Sequence, residues 1–476
     1  MIEENARTSA EPVTDESYSI TTEDGKAIIR ADGYLGTMWG IYTFSEKFLG
    51  VDPCYLFNDL AIVKKRAMEM PETHIVDKWA EYDNVVWQIG LRGFGDDRPV
   101  WQDDVPTETV LEKSGEFISK AYRKEKDIIL AATNGKAKHF TSTLWMEGST
   151  LVEKGYLRFP EDVTMVFADT APTQLYGGEY DLVPREKDGK YGIYYHLQYY
   201  GCGPHLAPQT GLKKLYYNMK RAYNKGDTDY FIMNVSNVRE FVFEMKAYAE
   251  SAWSMDRYSP DEYLSRYCER FGEYADEVKS TIIDFYESFP ELDSKYLEKH
   301  LSTYFNYTKT PPPAGITDFV LKEGSIIDYG KRMTDNFDKD LSKWLCHEYA
   351  AAIKPVIANS DDICARFERI VGKLDEPLKT HLKIKWLLSA KTLNYIYKWY
   401  VALHDAKIYR DEYDGENMKK SILEACGYLF DYLDYRKCAE YGEFRNWYRG
   451  DLKMNIKQRL YDTLKIIGRT PEMTES

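Results

Sequence analysis

The sequence predicts an α/β protein in three parts. A small N-terminal α/β unit comes first, then a barrel-like parallel sheet that is open or incomplete at about five strands, then an all-α helical bundle. Three observations carry this prediction. Between 84 and 240, five short apolar runs alternate with polar, helix-like stretches, the pattern of βαβ units and a parallel sheet. From about 257 onward the periodicity is helical. The 476 residues, 43% of them hydrophobic, exceed one ordinary domain and suffice for sizeable cores. The expected boundaries are 1–76, 77–256 and 257–476.

In chain order, "YSITTEDGKAIIRA" reads as a hairpin with Asp24-Gly25 at its turn. "GYLGTMWGIYTFSEKFLG" reads as an amphipathic helix ending at Gly50, and "CYLFNDLAIVKKR" as a further strand. The strand candidates of the sheet are "NVVWQIGL" (84–91), "HFTSTLWM" (139–146), "DVTMVFAD" (162–169), "GIYYHLQY" (192–199) and "DYFIMNVS" (229–236). In parallel sheets chemistry collects at the carboxyl ends of strands. Those ends deliver Arg92, Asp96 and Asp97, then Glu147, Asp169, His196 with Tyr199, and Asn234. In the helical part Ser259, Pro260 and Glu262 form a capping box with a proline at the first helical position. Tyr263, Tyr267, Phe271 and Tyr274 then share one face. "KTPPPAG" (309–315) interrupts the helices, and three long helical patterns follow at about 337–370, 376–410 and 416–436. The aromatic stripe "WLLSAKTLNYIYKWYVAL" is read as core packing.

Composition excludes several classes. A net charge of −14 lacks the basic face of a nucleic-acid binder. Forty tyrosines suit sugar-binding clefts and half-buried helices alike. Seven scattered cysteines without a C-x-x-C spacing argue against a disulfide framework or a zinc site. The start "MIEENARTSAEPVTDES" has no apolar h-region, and no apolar run approaches the ~20 residues of a membrane span. These features predict a cytoplasmic protein with no membrane partner, metal or cofactor. "LRGFGDD" (91–97) is no nucleotide fingerprint, because no helix opens on a third glycine. Taken alone it is a turn with solvated carboxylates. Glu147 alone is a helix-start charge, and His196 alone a core histidine.

Together and in order, "LRGFGDD", "LWMEGSTLVEKGYLRFPEDVTMVFAD", "KYGIYYHLQYYGCGP" and "DYFIMNVSNVREFVFEM" resemble the xylan α-1,2-glucuronidases of glycoside hydrolase family 115. The resemblance spans about 84–255 and, more weakly, 17–70. It implies a (β/α)-barrel enzyme that releases glucuronic acid or its 4-O-methyl ether from xylan side chains. It implies Asp96 and Glu147 as the catalytic carboxylates and His196, Tyr199, Arg92 and Asn234 as substrate-binding groups. Inversion at a sugar needs an acid and a base about 6.5–9.5 Å apart, which neighbouring strand ends can supply. Asp97 and Asp169 are placed with the substrate-binding groups. Phe94, "FADTAPTQ" around Ala171, and "VSNVRE" depart from the family pattern. Three barrel strands that the family has before Gly-x-Gly-Asp are absent, so "MPETHIVDKWAEYDNVV" runs directly from one unit to the next. The alternative reading is therefore a non-catalytic or impaired carbohydrate-binding relative. A third is a scaffold whose helical half associates, as in a homodimer.

Overall fold

The computed structural model describes residues 2–4, 18–24, 26–31, 33–52, 54, 57, 74–77, 85–90, 106–144, 147–170, 173–199, 203–235, 237–292, 319–342 and 344–469. The expected hairpin forms from β2 (Tyr18–Glu23) and β3 (Lys26–Ala31), with Asp24 at φ 49° in the turn. Alternation puts Tyr18, Ile20, Ile29 and Ala31 into a small core. Helix α1 (Tyr34–Leu49) covers it with Trp39, Ile41, Phe44 and Phe48. The helix lies so close that a Cβ on Gly40 would stand 2.5 Å from Ile29 Cγ2. It ends where expected, at Gly50 in the left-handed region (φ 67°), whose N–H bonds the carbonyl of Ser45.

This sheet has four strands in the order β1-β3-β2-β4, where β1 is Ile2–Glu4 and β4 is His74–Asp77. The strand β4 corrects the sequence reading, which took this stretch as a plain connection. Its four residues are too few to show a period, and the antiparallel register Tyr18↔Asp77 through Thr21↔His74 creates the strand. Of the strand expected at 54–66, Cys54 and Phe57 lie in turns and the other residues lie outside the described ones.

The second sheet has the five expected strands, all parallel, in the order β5 (Val86–Gln88), β6 (His139–Leu144), β7 (Val163–Ala168), β8 (Tyr191–His196) and β9 (Tyr230–Asn234). It curls into an open half-barrel. Helices α2 (Thr107–Ala132), α3 (Glu147–Glu153), α4 (Gly178–Leu182), α5 (Leu212–Lys225) and α6 (Val238–Trp253) follow the strands in turn. Register places Phe140, Leu144, Phe167, Ile193 and Tyr195 on the face these helices cover. The opposite face carries Thr141, Thr143, Val166, Gly192, Tyr194 and His196. Gly192 is required there, since a Cβ would stand 2.3 Å from the Tyr230 carbonyl oxygen. Each strand is shorter than read from sequence. The extra residues turn into the end of the sheet, where the Asp169 N–H still reaches the Tyr194 carbonyl at 3.3 Å and the Leu197 N–H the Asn234 carbonyl at 3.1 Å.

The half-barrel and the helices share one apolar core that runs from Ile89 to Ile466. At its centre Trp386 is ringed by Phe243, Tyr267, Phe285, Tyr286 and Phe367. The N-cap half of the expected capping box forms at α7 (Pro260–Cys268), with Ser259 Oγ accepting from Glu262 N at 3.4 Å; α8 (Ala275–Glu287) follows. The pattern read as one helix over 337–370 is two, Cys346–Ile353 and Ile357–Val371, broken at a turn containing Pro355, which has no N–H to donate. The next two patterns form as Leu378–Asp411, with a π turn at Lys383–Leu387, and Gly415–Tyr435. A short helix, Ile456–Lys465, was not anticipated. Cys54, Cys268, Cys346, Cys364, Cys426 and Cys438 are free thiols, and burial pushes Cys268 up to about 12.

Candidate functional site

The polar groups of the half-barrel converge where β7 and β8 end. Asp169 follows β7 directly, and its N–H bonds the Tyr194 carbonyl of β8 at 3.3 Å. That contact carries the strand pairing one step further and aims the carboxylate along the sheet end. Oδ1 lies 2.6 Å from His196 Nδ1 and accepts from His196 N at 3.0 Å. Oδ2 accepts from Tyr199 OH at 2.5 Å. A carboxylate oxygen accepts, so His196 Nδ1 carries the hydrogen in this contact. The carboxylate is fully buried and the imidazole nearly so, with side-chain exposures of 0% and 4%.

Stacking completes the cluster. The His196 and Tyr199 rings lie 4.2 Å apart at 10°, and Tyr194 packs against the other side of the imidazole at 4.2 Å. Asn234, in register with His196 on β9, donates from Nδ2 to Tyr194 OH at 2.8 Å. Burial raises the Tyr194 hydroxyl above the ordinary tyrosine range, so it stays protonated near neutral pH.

Behind this cluster lies a buried backing layer. Gln174, at φ 54°, donates from Nε2 to the His196 carbonyl at 2.8 Å. Asn218 and Lys214 of α5 donate to the carbonyls of Gln174 and Thr173 at 2.9 and 2.7 Å. The loop after β8 is held by Gln198, whose Nε2 donates to the His205 carbonyl at 2.6 Å and whose Oε1 accepts from Asn237 N at 2.8 Å. Glu323, which opens the helix Glu323–Asp335, reaches across from the helical region. Its Oε1 accepts from the backbone N–H groups of His205 (2.5 Å), Leu206 and Ala207 (3.2 Å). Burial outweighs those three donors and pushes its carboxyl up to about 8.

Of the residues singled out in the sequence, Asp169, His196, Tyr199 and Asn234 come together. Asp169 is committed to its two neighbours, His196 and Tyr199. Glu147 opens α3 immediately after β6, which puts its backbone at the end of the neighbouring strand. Its side chain lies outside the described residues, as do Arg92, Asp96, Asp97, Phe94 and Ala171. Sequence reasoning missed Tyr194, Gln174, Asn218, Gln198 and Glu323. Tyr194 was within reach, because it stands two before His196 on the same strand face. Glu323 had no local signal, since its partners stand 116 to 118 residues earlier. Among the described residues, no group of three or more His, Cys, Asp or Glu is arranged to hold a metal ion. No helix among them is long and apolar enough to cross a membrane.

Comparison with known proteins bears on this geometry. The family model described as glycosyl hydrolase family 115 matches residues 64–298, the stretch that contains the whole half-barrel. No curated protein matches. Among solved structures, a family GH115 4-O-methyl-alpha-glucuronidase with specificity for decorated arabinogalactans aligns with a TM-score of 0.62 at 13% identity, covering 94% of this chain and 71% of that one. A GH138 enzyme targeting pectin rhamnogalacturonan II aligns with a TM-score of 0.42 at 11% identity, covering 77% of this chain and 49% of that one. The first of these shares the fold, and the family match falls on the strands whose ends carry Asp169, His196 and Tyr199. By that match, residues 64–298 belong to glycoside hydrolase family 115.

Proposed function

We propose that this protein hydrolyses the bond that joins glucuronic acid, or its 4-O-methyl ether, to a glycan backbone, with inversion at the sugar carbon. The observation that carries the reading is the Asp169 carboxylate gripping both His196 and Tyr199 at the sheet end. A buried carboxylate that fixes an imidazole and a phenol presents oriented hydrogen-bonding groups to a sugar, and orientation of this kind is a large part of catalysis. Asp96 and Glu147 are assigned the acid and base roles by family resemblance. One protonates the leaving oxygen and the other activates water from the opposite side of the ring. His196 and Tyr199 bind the uronic acid, with Arg92, Asp97 and Asn234 as further substrate contacts and Asp169 as the positioning group. Residues 77–256 are taken as the catalytic unit.

Xylan carrying glucuronic acid side chains is the first substrate to test, and a uronic-acid-decorated arabinogalactan the second. Purified protein is incubated with each, and released uronic acid is resolved by anion-exchange chromatography while proton NMR follows the first anomer formed. Inversion yields the β anomer from an α linkage. Asp96→Asn and Glu147→Gln should each remove most of the turnover and leave the circular dichroism spectrum unchanged. Absence of uronic acid from both polymers with wild-type protein sinks the catalytic reading.

A second reading is favoured by one observation. Among the described residues this sheet has five strands and is open, whereas a (β/α)-barrel closes with eight. A shallower cleft excludes less water and holds a sugar with fewer contacts, which suits a glycan-binding protein with little or no turnover. Calorimetric binding of glucuronate-bearing oligosaccharides without release of uronic acid selects this alternative.

A further inference from the structure

Helix α6 leads away from the cluster at the sheet end to a second feature. It opens beside that cluster, where Asn237 N donates to Gln198 Oε1 at 2.8 Å. It then returns along the sheet, and Tyr248 packs against Phe231, the second residue of β9, with ring centroids 6.5 Å apart. The last residue of the helix, Trp253, therefore lies beyond the amino ends of the strands, since 16 helical residues span about 24 Å. Phe241, Phe243, Ala247 and Tyr248 of the same helix are buried, whereas Trp253 is 66% exposed. A single apolar side chain on a surface is ordinary, so exposure alone assigns nothing. The surroundings of this one do. Trp253 lines a cleft of about 440 Å³ between α1, α6 and the start of α7, together with Lys246, Arg257, Arg266, Glu46 and Glu250.

The charges in this cleft do not balance. Three cations face two carboxylates, in a chain whose net charge is −14. Arg266 is taken by Glu250 at 2.6 Å. Lys246 stands 3.9 Å from both Glu46 and Asp52, at the outer limit of an ion pair. Arg257 forms no ion pair among the described residues. Its guanidinium is a planar fork of donors suited to a carboxylate, and the nearby indole is a flat apolar face. A pyranose ring has a face of C–H groups that covers an indole, and a uronic acid adds one carboxylate to such a ring. A neutral sugar would leave the arginine unanswered, and an acidic side chain would leave the indole uncovered. We propose that this cleft is a second binding site for a uronic-acid-bearing glycan, in which Trp253 stacks on a sugar ring and Arg257 takes the carboxylate of a uronic acid. Polymer held there stays tethered while the strand ends engage its side chains, which raises their effective concentration at the candidate active site. The class of glycan rests on the proposed function, and the binding itself needs no hydrolysis.

Biolayer interferometry of the full chain tests it on three surfaces: immobilised glucuronoxylan, the same xylan stripped of its uronic acid, and polyglutamate. Wild type should bind glucuronoxylan about tenfold more tightly than either reference surface, and Trp253→Ala and Arg257→Gln should each weaken that binding about tenfold. Asp169→Asn, which disturbs the cluster at the strand ends, should keep most of it. Trp253 and Arg257 are exposed, so both variants should fold, and circular dichroism checks all three. Binding is read whether or not uronic acid is released, so a failure of the hydrolase reading leaves this outcome visible. Wild type that binds no glucuronoxylan overturns the proposal, as does equal binding to all three surfaces. So does wild-type affinity in Trp253→Ala or in Arg257→Gln. Binding lost in Asp169→Asn and untouched in Trp253→Ala would place the polymer at the strand ends alone.

Discussion

The half-barrel and the helical region both bury polar side chains, but they arrange them differently. In the helical region the buried polar groups come as short links between neighbouring helices. Trp386 Nε1 donates to Tyr267 OH at 2.7 Å, and that oxygen lies 2.8 Å from His381 Nε2. Asn394 donates to Ser360 at 3.2 Å, and Trp399 to Thr463 at 3.1 Å. Each link satisfies its own members, and the links do not converge. In the half-barrel one connected set, from Lys214 and Asn218 through Gln174 to His196, Asp169 and Tyr199, gathers at the carboxyl ends of two strands, apart from a separate buried cluster of Tyr180, Arg185 and Asp227. Scattered links stabilise packing. A convergent set holds particular side chains in one orientation, which is what a binding site needs.

If that contrast is right, damage to a helical link should cost stability and leave the chemistry of the site alone. Trp386 is fully buried at the centre of the shared core. Trp386→Ala should lower unfolding stability by about 3–5 kcal/mol in urea. Because one core spans both regions, the loss should come as a single transition seen alike by circular dichroism and tryptophan fluorescence. Two separated transitions would show that the two regions fold as independent units.

The buried ion pair that joins the regions sharpens the test. Lys385 Nζ lies 2.9 Å from Glu244 Oε2, and the two side chains are 3% and 1% exposed. Burial lowers the Lys385 ammonium below its ordinary range, and the Glu244 carboxylate acts against that shift. Lys385→Met removes one partner and, among the described residues, leaves buried Glu244 with Tyr286 OH as its side-chain partner. The expected cost is about 3 kcal/mol, at the low end for broken buried pairs because Tyr286 remains. A variant as stable as wild type would mean that the pair contributes nothing net.

On the other side of the comparison, Asp169→Asn changes a single atom type. One carboxylate oxygen becomes an NH₂ that cannot accept from His196 or Tyr199. The expected loss of stability is about 1–3 kcal/mol. Turnover on a uronic acid substrate should fall about 100-fold, well beyond what a packing defect of that size would cause. Turnover that tracks stability alone in this variant would put Asp169 with the helical links, as a packing residue.

How much of this was legible in the sequence depends on the range of the forces involved. The β2–β3 hairpin, the end of α1 at Gly50 and the N-cap at Ser259 are set by residues within a few positions of one another, and they were readable. The five strands were readable as apolar runs. Their ends were overextended, because Leu197–Tyr199 is as apolar as the strand that it leaves. Asp169, His196 and Tyr199 were found as strand-end residues, but the bond between Asp169 and Tyr199 was not, since it depends on how two loops meet. The strand β4 is held by its partner β2, and the break at Pro355 lay inside an otherwise helical pattern.

Glu323 gives the closest test of how the two regions meet. It stands at the start of a helix in one region and clamps the loop that follows His196 and Tyr199 in the other. Its residue is fully buried, and among the described residues its Oε2 has no hydrogen-bond partner. Burial raises the carboxyl from its ordinary 4.5 to about 8 in the folded protein. Between those two values the folded state holds a proton that the unfolded state has released. The unfolded state binds fewer protons there, so stability falls as pH rises through the window and levels off above about 8. Glu323→Gln keeps an acceptor oxygen for the N–H groups of His205, Leu206 and Ala207 and removes the titration. Urea midpoints measured at intervals from about pH 5 to about pH 8 should therefore show the variant gaining on wild type as pH rises. A constant difference across that range would mean that Glu323 keeps one protonation state on folding, and that the clamp on the loop is not sensitive to pH.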